Sequence, residues 1–262
     1  MGFSIVGILN FTPDSFSGDE SGKGNGLSRT RHLFDLGAEL VDIGAEATNP
    51  FTKPISSNLE IERLNALNFR EIVKNHPSKI SLDTYHPETF EWALGFGYEF
   101  ILNDVSGLYN PKMLELAIKN NVKCIIGHIS EQAEGVPINS HKIKQISSIK
   151  QVVDELNNRI TMLRSKGLKK EQIIVDPCIG FGKTPKLNWG LLGVAKYFPD
   201  YPVIIGYSKK RFLGTNMRTG QELTNPDIRF SSTRNKYAAT IAINSGASYL
   251  RVHDIKTLKR LK

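Results

Sequence analysis

The chain has 262 residues, 40% of them hydrophobic, and a formal net charge of +8. That is enough apolar material for one large core. No apolar run reaches the length of a membrane span, and the first residues lack the regions of a secretory signal. Two distant cysteines, Cys124 and Cys178, make neither a disulfide framework nor a zinc pattern, so a cytoplasmic, reducing location is expected.

Short apolar runs recur along the chain at Ser4–Leu9, Leu40–Ile43, Ile80–Leu82, Phe100–Leu102, Lys123–Ile126, Ile173–Val175, Val203–Ile205 and Tyr249–Val252. Their length and β-branched content predict strands. Helical spacing predicts a helix over Asn58–Asn75, through Leu59, Ile61, Leu64, Leu67 and Ile72. Others are predicted over Pro111–Asn120, where Pro111 suits a first turn, and over Ser147–Lys166 and Asp227–Ser245. No low-complexity stretch or linker divides the chain. Eight strand–helix units in this length predict an α/β fold: a single-domain (β/α)8 TIM barrel over residues 1–262. A doubly wound open sheet is the rival, but its glycine fingerprint is missing, because Gly22-Lys-Gly-Asn-Gly26 does not follow directly from a strand.

The first strand stops at Asn10 and opens into a polar Thr-Pro-Asp-Ser turn. Other strands also end on polar groups: Asp83, Asn103-Asp104, His128, Asp176, Ser208 with Lys210, and Arg251 with His253. One such residue alone reads as a helix cap. Seven strands ending this way predict a shared pocket at the barrel mouth. Asp83, Asp176 and Asn103 suit a flat ligand rich in N–H donors, whereas Lys210, Arg251 and His253 suit an anion. A pyrophosphate-bearing heterocycle fits both halves.

Other chemistries are excluded. "GFGKT" (180–184) has Pro177 where a P-loop needs its first glycine. "GYSKK" (206–210) lacks the closing glycine of a nucleophile elbow. The histidines show no metal-protease spacing, and His32, His76, His86 and His141 read as surface or helix residues. The basic residues are scattered, with no aromatic-interleaved stretch, so neither a nucleic-acid nor a membrane partner is expected.

An ordered series of segments resembles the dihydropteroate synthase family over essentially the whole chain: "GILNFTPDSFS", "VDIGAEATNP", "ISLDTYHPE", "ILNDVSG", "IIVDPCIGFGKT", "VIIGYSKKRFLG" and "LRVHD". The resemblance implies a (β/α)8 barrel that joins a dihydropterin methyl pyrophosphate to p-aminobenzoate. The products are pyrophosphate and 7,8-dihydropteroate, formed in folate synthesis. It assigns pterin recognition to Asp83, Asn103, Asp176 and Lys210, with Phe181 and Gly206 bordering the ring. Arg251 stacks on the ring and holds phosphates with His253. Asn10 sits by the pyrophosphate and its Mg2+. Asp83, Lys210, Arg251 and His253 are the implied catalytic set, and residues Phe11–Gly26 a mobile lid. A homodimer is implied too.

The chain departs from the family mainly on the arylamine side. There it has Ala47-Thr48-Asn49-Pro50 for Ser-Thr-Arg-Pro, and Arg211 for a small residue. Lys53 or Arg63 is a candidate to replace the missing charge. Cys178 stands where the family has glycine. Gly127-His128-Ile129 replaces Met-His-Met and is expected to remove a packing wall. The p-aminobenzoate side, Thr48, Asn49, Pro50 and Arg211, is therefore expected to be reshaped, with reduced sulfonamide sensitivity. The alternatives are a pterin-binding paralogue with lost or altered synthase activity, a pterin-dependent methyltransferase and, last, a basic nucleic-acid-binding barrel.

Overall fold

A computed structural model describes residues 2–11, 26–46, 53–130 and 145–262. Eight strands form one parallel sheet: β1 (Ser4–Asn10), β2 (Leu40–Gly44), β3 (Ile80–Asp83), β4 (Ile101–Asp104), β5 (Lys123–Gly127), β6 (Ile173–Asp176), β7 (Ile204–Gly206) and β8 (Tyr249–Val252). Their order is β6-β5-β4-β3-β2-β1-β8-β7. The sheet closes where Val175 bridges Val203, with the Val175 N–H donating to Pro202 O at 2.9 Å. The fold is thus the predicted (β/α)8 barrel. Several strands run further than their apolar residues, so that Asn10, Asp83, Asn103, Asp104 and Asp176 lie within strands.

Alternation along the strands separates two cores. Ile5, Leu9, Val41, Ile43, Leu82, Leu102, Val175, Ile205 and Leu250 pack outward against the helices. Val6, Leu40, Ile101, Ile125, Ile174 and Ile204 pack together inside the barrel, with Tyr249 against them. Side chains two residues apart share a face. The next inward layer is therefore Ile8, Asp42, Asn103, Gly127, Asp176, Gly206 and Arg251. The same period that fills the barrel floor with branched apolar residues delivers polar groups to its carboxyl end.

The helices are α1 (Gly26–Leu36), α2 (Ser57–Ala66), α3 (Phe69–Asn75), α4 (Pro87–Leu94), α5 (Pro111–Lys119), α6 (Ile149–Ser165), α7 (Pro185–Leu191), α8 (Ser232–Asn244) and α9 (Ile255–Lys259). The predicted helix over Asn58–Asn75 is in fact two. Asn68 adopts φ 62°, in the left-handed region that asparagine tolerates better than most residues, between fully buried Leu67 and Phe69. Similarly, Asp227–Ser245 divides into a 3-10 turn over Pro226–Phe230 and α8. Helix α5 begins as expected: Pro111 occupies the first turn, and Asn110 Oδ1 accepts from the Lys112 N–H at 2.9 Å. Helices α1, α4 and α7 escaped the sequence reading: α4 and α7 are short, at 8 and 7 residues, and α1 is mostly polar, with only Leu27, Leu33, Phe34 and Leu36 apolar along it.

Candidate active site

The carboxyl ends of the strands surround a cleft lined by Ile8, Asn10, Asp83, Asn103, Val105 and Asp176, and further by Cys178, Phe181, Gly206, Ser208, Lys210, Arg251 and His253. Every residue predicted for the pterin and pyrophosphate sides is brought to this one place. An added Cβ on Gly206 would lie 3.8 Å from both Cβ and Cδ of Arg251, so the missing side chain leaves its space to the cleft.

Arg251 organises the floor. Its Nη2 donates to Asp83 Oδ2 at 2.7 Å, and its Nε lies 2.7 Å from Asp42 Oδ2. Asp42, 1% exposed, also accepts from Asn103 Nδ2 at 3.1 Å on each carboxylate oxygen, and from the Ser81 hydroxyl. Asp42 was not singled out in the sequence, though the signal was there: a carboxylate between apolar neighbours in a wholly buried strand. Burial holds the Asp83 carboxyl up, to about 7, against the pull of Arg251 and with the charge of Asp42 adding to the rise. Asp176 is raised for the same reason, opposed chiefly by Lys210 and then by the Cys178 N–H, which donates to its Oδ1 at 2.7 Å.

Lys210 reaches the cleft because Lys209 takes φ 61° and turns the chain after β7. Its ammonium donates to Ile179 O and stands 5.3 Å from the Phe181 ring centroid. Burial lowers its pKa, while Asp176 opposes the shift. At the rim, His253 is an exposed residue whose N–H donates to Ser208 Oγ at 3.3 Å. Crowding around its ring and the charges of Lys209, Arg251 and Lys210 push its imidazole down to about 4. The cleft is therefore acidic and amide-rich at its floor, with the Lys210 ammonium beside Phe181 and a neutral His253 imidazole at the rim; a flat ring system matches the floor, and an anion the N–H donors of Lys210, Arg251 and His253.

Several expectations change. Gly127 does not open a wall: a Cβ there would sit 2.4 Å from Val105 O, so backbone fills the space and Val105 itself lines the cleft. Cys178 tolerates φ 45°, its buried thiol pushed up to about 12 by desolvation and then by Asp176. Arg211 opens a 3-10 turn (Arg211–Gly214), is exposed, and does not line the cleft. The Arg63 Nη1 donates to Ala45 O at 2.8 Å. Thr48, Asn49 and Pro50, and all of the proposed lid but Phe11 and Gly26, lie outside the described residues. His86 is no simple surface residue. Its Nε2 lies 3.0 Å from Glu46 Oε2, while Tyr85 OH donates to Glu46 Oε1 at 2.7 Å.

The pterin binding enzyme family model matches residues 6–253. This chain belongs to the pterin-binding enzyme family. A dihydropteroate synthase of Clostridium beijerinckii is 31% identical over 96% of this chain and 88% of that protein. A Xanthomonas albilineans dihydropteroate synthase solved with 4-aminobenzoic acid superposes with a TM-score of 0.77 at 29% identity, covering 99% of this chain and 90% of that one. The same bacterium's enzyme in complex with 7,8-dihydropteroate gives 0.74 at 28% identity, over 98% and 90% of the two chains. No helix among the described residues is long and apolar enough to cross a membrane.

Proposed function

We propose that this protein is a transferase of folate biosynthesis, a dihydropteroate synthase. It joins 6-hydroxymethyl-7,8-dihydropterin pyrophosphate to p-aminobenzoate and releases pyrophosphate. The observation that carries this reading is the convergence of Asp83, Asn103 and Asp176 with Lys210, Arg251 and His253 in one cleft. The relatives solved with 4-aminobenzoic acid and with 7,8-dihydropteroate support the substrate assignment.

Asp176 and Asn103 receive the N–H edge of the pterin, and Lys210 and Phe181 flank the ring. Nε and Nη2 of Arg251 engage the floor carboxylates, which makes Nη1 the donor offered to the anion. The C–O bond to pyrophosphate breaks first, its electron pair leaving with the pyrophosphate. Arg251, His253 and Asn10 meet the departing charge, and the negative floor around Asp83 offsets the cation left on the pterin methylene. The arylamine nitrogen then forms the C–N bond and gives its proton to solvent. No enzyme nucleophile is used, in keeping with a Cys178 thiol whose pKa is pushed up to about 12.

Among the described residues, no group of three or more His, Cys, Asp or Glu side chains could hold a metal ion. Mg2+ characteristically keeps several waters and shares substrate phosphates with one or two protein oxygens, and the single Asn10 amide oxygen at the cleft fits that mode. When bound there, Mg2+ would neutralise charge on the pyrophosphate.

The arylamine-side reading belongs to the same proposal: Asn49 lowers sulfonamide sensitivity, so Asn49→Arg should strengthen p-aminobenzoate and drug binding, and unchanged affinities would discard it. So does a cytoplasmic homodimer. Exposed Met217, Phe230 and Tyr237 supply apolar surface for it, and sedimentation velocity tests it. The deciding assay measures pyrophosphate release with Mg2+ and the dihydropterin pyrophosphate, with and without p-aminobenzoate. Pyrophosphate appearing together with dihydropteroate supports the synthase. Tight pterin binding without arylamine-dependent product overturns it in favour of a binding paralogue.

A further inference from the structure

Behind the cleft, and not lining it, lies a buried cation that the reaction does not use. Lys183 is 4% exposed. Its Nζ donates to the carbonyl oxygens of Phe181 at 2.8 Å, Cys178 at 3.1 Å and His128 at 3.2 Å. An ammonium has three protons, and here each has a carbonyl. No carboxylate among the described residues lies within ion-pair distance of it.

The turn it serves is contorted. Cys178, Gly180 and Gly182 have φ of 45°, 95° and 60°, and that run of left-handed residues points the carbonyls of Cys178 and Phe181 toward one spot. Converging carbonyl dipoles repel one another unless a cation sits between them. Further bonds secure the outer side of the turn: Gly180 N–H donates to Asn188 Oδ1 at 2.8 Å, and Asn188 Nδ2 to Lys183 O at 3.3 Å. The third carbonyl, that of His128, belongs to the segment just after β5, whose own N–H is bonded to Asp176 O at 3.0 Å.

We propose that Lys183 is a positioning residue for the pterin site: its ammonium gathers the carbonyls of His128, Cys178 and Phe181 and so fixes the wall that Cys178 and Phe181 present to the ring. This rests on the reading of the cleft as a pterin site. Loss of one proton would turn a lone pair on one of the three carbonyls and release that wall. Burial pushes the Lys183 amine down to about 8, with the neighbouring Cys178, Asp176 and Glu155 opposing and Lys210 adding to the fall; the His128 imidazole, down to about 4, is neutral throughout this range. Affinity is then full below that pH and falls above it.

The test is the Kd for 6-hydroxymethyl-7,8-dihydropterin from pH 6.5 to 9.5, for wild type, K183R and K183M. Arginine stays charged across this range. Ionisation of the ligand, of Lys210 and of Asp83 is common to all three proteins. We expect wild-type affinity to fall about tenfold at the alkaline end, K183R to lack that fall, and K183M to bind at least tenfold more weakly at pH 7. In K183M, the KM for p-aminobenzoate at saturating pterin substrate should be unchanged. An alkaline fall in K183R equal to that of wild type, or a folded K183M that binds like wild type, overturns the proposal. If neither variant folds, a flat wild-type profile still overturns it. A wild type that binds no pterin at pH 7 overturns the reading of the cleft, and this inference with it.

Discussion

Replacing Asp42 with asparagine tests whether the buried floor holds the site together. The change keeps the size of the side chain but removes the charge that faces Arg251 Nε at 2.7 Å, and it sets an N–H2 group against donors from Asn103, Ser81 and Arg251. Removing one partner of a buried ion pair costs about 3–5 kcal/mol. Arg251 keeps Asp83 at 2.7 Å, which places the expected loss at the lower end, about 3 kcal/mol. For a domain of this size that lowers the Tm by roughly 6–12 °C, readable by circular dichroism. Two further signatures follow. Asn103 loses its anchor, so affinity for the dihydropterin should fall about tenfold, equivalent to about 1.4 kcal/mol. Asp83 loses a negative neighbour, so its raised pKa should drop. A Tm within about 1 °C of wild type, with unchanged dihydropterin affinity, would refute the reasoning.

Gly127→Ala should destabilise by about 1–3 kcal/mol, because its Cβ would meet Val105 O at 2.4 Å; urea unfolding measures it. Neither cysteine should react with a thiol reagent at pH 8 in the native protein, since both are buried and Cys178 is pushed up to about 12, whereas both should react in denaturant. Cys178→Gly relieves a left-handed backbone that costs an L-residue about 1–2 kcal/mol but gives up a buried side chain and frees the unfolded chain. Its stability should therefore stay within about 1 kcal/mol of wild type. His128 is held neutral, down from 6.5 to about 4, chiefly by burial and despite Glu155 at 3.0 Å. The unfolded chain binds that proton more readily, so His128 contributes stability that is present above pH 6.5 and lost as pH falls toward 4. His128→Gln should flatten stability across that window.

Much of the architecture could be read from the chain itself. Short β-branched runs alternating with helical patterns dictate a parallel sheet, and the polar residues after them mark its carboxyl end. Asn10, Asp83, Asn103, Asp176, Arg251 and His253 were legible because each breaks an apolar run or immediately follows one, and Lys210 because it lies in the basic cluster a few residues beyond one. What the chain could not show is which neighbours these groups would meet. Asp42 and Arg251 are 209 residues apart in number (251 − 42) yet touch in the barrel, and no local pattern encodes that contact. The same holds for Gly127, whose missing side chain is understood only when Val105 is seen against it, and for the break at Asn68, where burial of Leu67 and Phe69 outweighs a continuous helical pattern. Sequence determined the strands, their order of use and the chemistry at their ends, because those depend on side-chain period and type. Tertiary structure alone decided the ion pairs, the carbonyl cage around Lys183 and the pKa shifts, because these depend on distance and desolvation, which exist only once the barrel has closed.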